Sequence, residues 1–184
     1  MNNTKATFLA AMLGVALAAS AAPLKTDPSK STVSAVFKQM GVPVEAKFKT
    51  FSAQIDFDQA KPDQARASVE IDTASLDLGE ADMNKEVAKK DWFNSAQFPK
   101  ATFVSSAIKQ AAPGILRVSG KLSIKGKAAD VSFPLTIKTE AGKQVFEGAL
   151  PIKRLAYNIG EGEWKDTSMV ADDVVIKFRV TAAQ

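Results

Sequence analysis

The 184-residue sequence has no cysteine, no histidine and a single tyrosine. Without cysteine there is no disulfide to staple the fold. Without either residue, zinc sites built on Cys or His, Ser-His-Asp and Cys-His nucleophile systems, and histidine acid–base catalysis all fall away. The composition therefore argues against an enzyme. Charge of one sign is also lacking: 24 Lys+Arg stand against 20 Asp+Glu, with lysines scattered between acids. A nucleic-acid surface needs a basic patch or stripe, so no nucleic-acid partner is expected. The surplus reads as solvation, with at most transient contact at an anionic membrane surface. Long hydrophobic runs are absent beyond the N-terminus, and the one there is too short for the roughly 20 residues a span needs.

That N-terminal run has the form of a signal peptide. Lys5 gives a positive start, an apolar stretch follows over 6–18, and Ala19-Ser20-Ala21 supplies the small residues of a cleavage site. A retained anchor is the alternative. Removing 21 of the 184 residues leaves 163, and losing Lys5 lowers the formal net charge from +4 to +3. An exported chain without cysteine suits a bacterial periplasm. Residues 1–21 are thus read as a signal and 22–184 as one domain, long enough to bury its own core.

What is present is alternation. Val33, Ala35 and Phe37 share one face, as do Val44, Ala46 and Phe48, then Ala53, Ile55 and Phe57. The same period of two runs through Ala67–Ile71, Leu116–Ile124, Val131–Ile137, Phe146–Ile152 and Val174–Val180. One buried and one wet face is the mark of antiparallel sheet. With the less regular 100–109, about nine strands result, separated by turn signals such as Pro113-Gly114 and Ala141-Gly142. The fold class is all-β, a barrel or a two-sheet sandwich. Residues 80–90 break the rhythm. Met83 and Val87 stand four apart on one helical face, and Trp92-Phe93 follow, a short amphipathic helix suited to plugging a barrel mouth.

Catalytic and phosphate motifs are weak. Glu161 with Glu163, and Asp172 with Asp173, are near neighbours in sequence, and such pairs rarely face each other across a substrate. A hard cation on the same acids is the other reading, without the spacing of a calcium loop. Gly120 to Ala128 has five residues between glycines where a P-loop has four, and Ala128 where Ser or Thr is needed. Ten phenylalanines lie beyond the signal, with Trp92, Trp164 and Tyr157. They fill a solid core or wall a cavity; a barrel of about eight strands can do either.

The order of residues carries a resemblance. Asp91-Trp92-Phe93-Asn94-Ser95-Ala96-Gln97-Phe98-Pro99-Lys100-Ala101-Thr102-Phe103 is similar to the D-F-F-D-x-x-x-F-P-x-A-x-F segment of the YceI-like family. Gly120-Lys121-Leu122-Ser123-Ile124-Lys125-Gly126 resembles that family's G-x-L-T-I-H-G turn. The start at Thr26–Val33 and the closing blocks at Arg154–Gly160 and Val170–Val174 resemble it too. Lys30, Gln39 and Lys125 stand where many members carry histidine.

The resemblance implies a lipocalin-like antiparallel β-barrel of about eight or nine strands with a short helix near its mouth. It also implies a periplasmic protein that holds a long apolar lipid, a polyisoprenoid or an isoprenoid quinone, in the barrel. An acyl lipid is the other partner class, since the sequence does not separate an isoprenoid from an acyl tail. No metal or other cofactor is expected, and a homodimer is implied by the family alone. On that reading, strand parity makes Phe37, Phe48, Phe57, Phe103, Phe133 and Phe178 the wall. Met40, Met83, Val87, Trp92 and Trp164 would shape the mouth or lid, and Arg154 and Tyr157 would be polar handles for a headgroup. A filled-core module serving a membrane electron-transfer or stress system is the alternative.

Overall fold

The structure is a computed structural model and describes residues 23–183. The expected signal peptide over 1–21 lies outside the described residues. Nine strands fall where the alternation predicts them: β2 (Thr32–Gln39), β3 (Val42–Phe48), β4 (Phe51–Asp56), β5 (Arg66–Asp72), β7 (Lys100–Ala112), β8 (Ile115–Ile124), β9 (Lys127–Glu140), β10 (Lys143–Lys153) and β11 (Val170–Ala183). Two more, β1 (Lys25–Thr26) and β6 (Leu76–Asp77), are two residues long, too short to show a period. The helix α1 is Ala81–Val87.

All pairings are antiparallel, and the sheet runs β4-β5-β7-β8-β9-β10-β11-β2-β3-β6. The two short strands draw its ends together into a barrel. β1 pairs with the end of β11, Lys25 opposite Ala183, while the Leu24 amide donates to the Ile55 carbonyl of β4 at 2.8 Å. At the other end β5 continues through a 3-10 turn (Thr73–Ser75) into β6, which pairs with β3 at Lys47 and Phe48. The hairpins are tight because their tips accept positive φ. Met40-Gly41 (φ 49° and 80°) and Lys125-Gly126 (φ 47° and 73°) are two-residue turns whose twist matches the strands. Met40 lacks the short polar side chain that usually eases this conformation.

Acidic side chains fasten both short strands. Asp27 accepts from the Ser29 hydroxyl (2.6 Å) and from Lys143 of β10 (2.9 Å), and these hold its carboxyl at about 2, below the ordinary 3.8. Asp77 meets Lys49 (2.8 Å), Asn84 (2.9 Å) and the Gly79 amide (3.1 Å), and it too is lowered to about 2, with Lys49 as the largest cause. A carboxyl lowered by folding stabilises the native state above its unfolded pKa and loses that contribution as pH falls through the folded one. The denaturation midpoint is therefore expected to hold from about pH 7 to about pH 5 and to drop between about pH 4 and pH 2. Asp27→Asn with Asp77→Asn should flatten that drop. An unchanged acid slope in the double variant would assign it to other groups.

Candidate ligand-binding cavity

The inner faces enclose an apolar cavity of about 400 Å³ that runs the length of the barrel. One end lies under α1 at Met83 and Val87; the other reaches Phe57, Leu135 and Val180. Burial along the strands shows the interior is hollow. Phe37, Val69, Ile71, Phe103, Ile176 and Phe178 all point inward by strand parity, yet each is only half-buried because it faces the lumen. A packed core would leave no such accessibility on an inner face.

Midway along, three rings form a chain across alternate strands. Phe103 of β7 lies 5.6 Å from Phe133 of β9, which lies 5.5 Å from Phe178 of β11. The strands between carry glycine. A Cβ on Gly120 of β8 would come within 2.6 Å of Phe103 Cζ, and one on Gly148 of β10 within 2.9 Å of Phe178 Cε2. These are contacts that side-chain carbons do not tolerate. Phe103 and Phe178 therefore lie back against bare stretches of neighbouring backbone, which keeps the rings along the wall and the bore open. The sequence reading places Gly120 in a turn motif, whereas it lies within β8, and passes over Gly148 of β10. The available signal was their phase: Gly120 falls between inward Val118 and Leu122, and Gly148 between inward Phe146 and Leu150.

The lid is held by polar ties behind it. Asn84 of α1 accepts from the Leu78 amide (2.7 Å) while its own amide reaches Asp77. Downstream, buried Thr73 donates its hydroxyl to the Phe98 carbonyl (2.8 Å), and the Asp91 carbonyl accepts from the Gly160 and Glu161 amides (2.8 and 2.7 Å). This fixes Trp92 and Phe93 over the opening. Trp92 stacks obliquely on Trp164 with centroids 5.3 Å apart, and Phe93 meets Phe48 edge-on at 6.2 Å. Trp92 Nε1 is buried and meets no acceptor among the described residues.

Of the side chains expected from the sequence, Phe37, Phe48, Phe57, Phe103, Phe133, Phe178, Met83, Val87, Trp92 and Trp164 all reach the cavity wall. Three stand differently. Met40, at the β2–β3 turn, is 69% exposed and off the wall, beside Val42 and Met169 on the outer rim. Tyr157 packs into the solid part of the core at 3% exposure, where burial pushes its phenol up. Arg154 touches the lumen but is not free to hold a headgroup. Its Nε donates to the Ala171 carbonyl, Nη1 to those of Ile159 and Gly160, and Nη2 to those of Trp164 and Val170. All five guanidinium N–H groups are used on backbone. Burial lowers its pKa, and Asp172 offsets part of that.

The carboxylates weighed as catalytic pairs are engaged separately. Glu161 accepts from Lys125 (2.9 Å), which holds its carboxyl below the usual range. Asp172 caps the Leu155 amide (2.9 Å), and Asp173 pairs with Lys153 (2.7 Å). Lys125, at a histidine position of the resembling family, turns into the protein and also donates to the Asn158 carbonyl at 2.7 Å.

Known proteins share both sequence and shape with this chain. A UPF0312 protein of Shewanella sp. (strain W3-18-1) is 34% identical over 144 residues, covering 74% of this chain and 73% of its own. The UPF0312 protein of Shewanella oneidensis is 32% identical over the same length. The crystal structure of Burkholderia cenocepacia BcnA superposes with a TM-score of 0.84 at 55% identity, covering 86% of this chain and 100% of that one. A polyisoprenoid-binding domain from Saccharophagus degradans shares the fold at a TM-score of 0.71 and 18% identity, covering 89% of this chain and 98% of that one. Residues 24–182 match the YceI-like domain. This chain, with its hollow antiparallel barrel and helical lid, belongs to the YceI-like family.

Proposed function

We propose that the protein binds one long apolar lipid, a polyisoprenoid or isoprenoid quinone, inside the barrel, and carries it in the periplasm. The lumen is the observation that supports this most directly. It is continuous and walled almost wholly by aliphatic and aromatic side chains, and its volume lies in the range of small-molecule sites. Each buried CH₂ contributes about 0.8 kcal/mol, so a tail binds well without many polar contacts. The same fold serves a polyisoprenoid-binding domain in Saccharophagus degradans. The signal-like leader supports export. Among the described residues no helix is long and apolar enough to cross a membrane.

Native mass spectrometry of protein from its own periplasm, followed by organic extraction, tests the reading. A stoichiometric isoprenoid or quinone adduct is expected. An apo mass, together with no rise in melting temperature on adding polyprenyl lipid, would sink it. Trp92 and Trp164 are the chain's two tryptophans and both face the lumen, so their fluorescence reports on occupancy directly.

A further inference from the structure

We propose that the lumen selects an uncharged isoprenoid and rejects the same tail carrying a phosphate. The inference rests on the lipid-binding reading above and names its ligand class. Its basis is the inventory of polar groups on the wall. Apart from the two indoles, the polar side chains lining the cavity are Gln39, Asp82, Glu86 and Arg154. Arg154 is the one cation among them, and its five N–H groups all end on backbone carbonyls. Asp82 and Glu86 stand one helical turn apart on α1 and place carboxylates at the lid. The Asp82 side chain is itself almost fully exposed and Glu86 partly sheltered, while their lysine partners, Lys85 and Lys89, lie off the cavity wall.

A phosphate carries roughly −1.5 to −2 charge at pH 7 and needs cations or clustered N–H donors to leave water. Inside this lumen it meets apolar carbon and one cation, Arg154, already committed to backbone carbonyls. At the lid it meets two carboxylates. An alcohol or a quinone carbonyl has no net charge to desolvate, and Gln39 offers its amide to either. The wall donor without a partner among the described residues, Trp92 Nε1, is likewise neutral.

Two ligands with one tail decide the matter: geranylgeraniol and geranylgeranyl phosphate, titrated into the protein and read by tryptophan fluorescence and calorimetry. The alcohol is expected to bind at least about tenfold more tightly. Equal affinity, or tighter binding of the phosphate, overturns the proposal. Glu86→Lys, which puts a cation at the lid, should narrow the gap between alcohol and phosphate several-fold, whatever it does to the affinity of both. A gap that stays the same in this variant overturns the assignment to the carboxylates. Failure of both ligands to bind the wild-type protein is a different result, and it removes the lipid-binding reading itself.

Discussion

Arg154→Met is expected to cost about 3–5 kcal/mol of folding stability. The side chain is 2% exposed, and its five donated hydrogen bonds gather carbonyls from residues 159, 160, 164, 170 and 171 around one plane. Methionine fills the volume but donates nothing, so these carbonyls lose their partner together. Their segment has little other regular structure: a 3-10 turn over Gly162–Lys165 joins it to the start of β11. Arg154→Lys should recover little, because an ammonium has three donors and no planar fork. The Arg154 Cζ also lies 5.7 Å from the Trp92 ring centroid, so the loss should spread to the lid. Denaturant unfolding measures the cost, and native-state tryptophan emission follows the lid. A loss below about 1 kcal/mol would mean that water satisfies these carbonyls readily.

Gly148→Ala should act on binding more than on folding. Alanine normally suits a strand better than glycine by about 0.5–1 kcal/mol. Here its methyl occupies the space under the Phe178 ring, which must swing away from the wall. The lumen is the open side. Stability is expected to fall by about 1–3 kcal/mol from the forced rotamer, while affinity for a long isoprenoid falls at least about tenfold. Phe178→Ala in the same chain removes the ring and should restore most of the affinity, giving a double-mutant cycle with strong coupling. If Gly148→Ala alone binds as well as wild type, the ring has another place to go and the glycine does not set the bore. Gly120 is the poorer test site, because a methyl there would also strike the Val104 carbonyl.

The parts of the fold legible from sequence are those where a period repeats often enough to show. β11 presents Val174, Ile176, Phe178 and Val180 on one face, and β9 presents Val131, Phe133, Leu135 and Ile137, and parity places these side chains inward. β1 and β6 have two residues each, and what makes them strands is pairing with residues far along the chain. The lid was legible in part: Met83 and Val87 marked the inner face of α1, while the Asn84 tie to Leu78 and Asp77 depends on a loop conformation with no sequence period. Among the site residues, apolar type and strand phase sufficed for the wall. They failed for Arg154 and Tyr157, because a polar side chain looks the same in sequence whether it waits for a ligand or holds a loop. The hollowness itself is a matter of how far apart opposite walls stand, and residue order enters that only through the family resemblance.

The pairing of Lys25 with Ala183 sets the order in which this protein can be completed. Every hairpin from β7 to β11 can zip locally as its residues emerge, but the bridge from β11 through β1 to β4 waits for the last strand to arrive. Until then the barrel has two unpaired margins and an open trough, with its greasy lining facing water. Closure links positions separated by nearly the whole chain, which makes it a late and slow event. An isoprenoid meeting the protein at that stage could be laid into the trough from the side and enclosed by the final strand, with no need to thread past the lid. Refolding with and without such a lipid would reveal it, as a faster final phase or a higher loaded fraction than the finished barrel reaches in the same time.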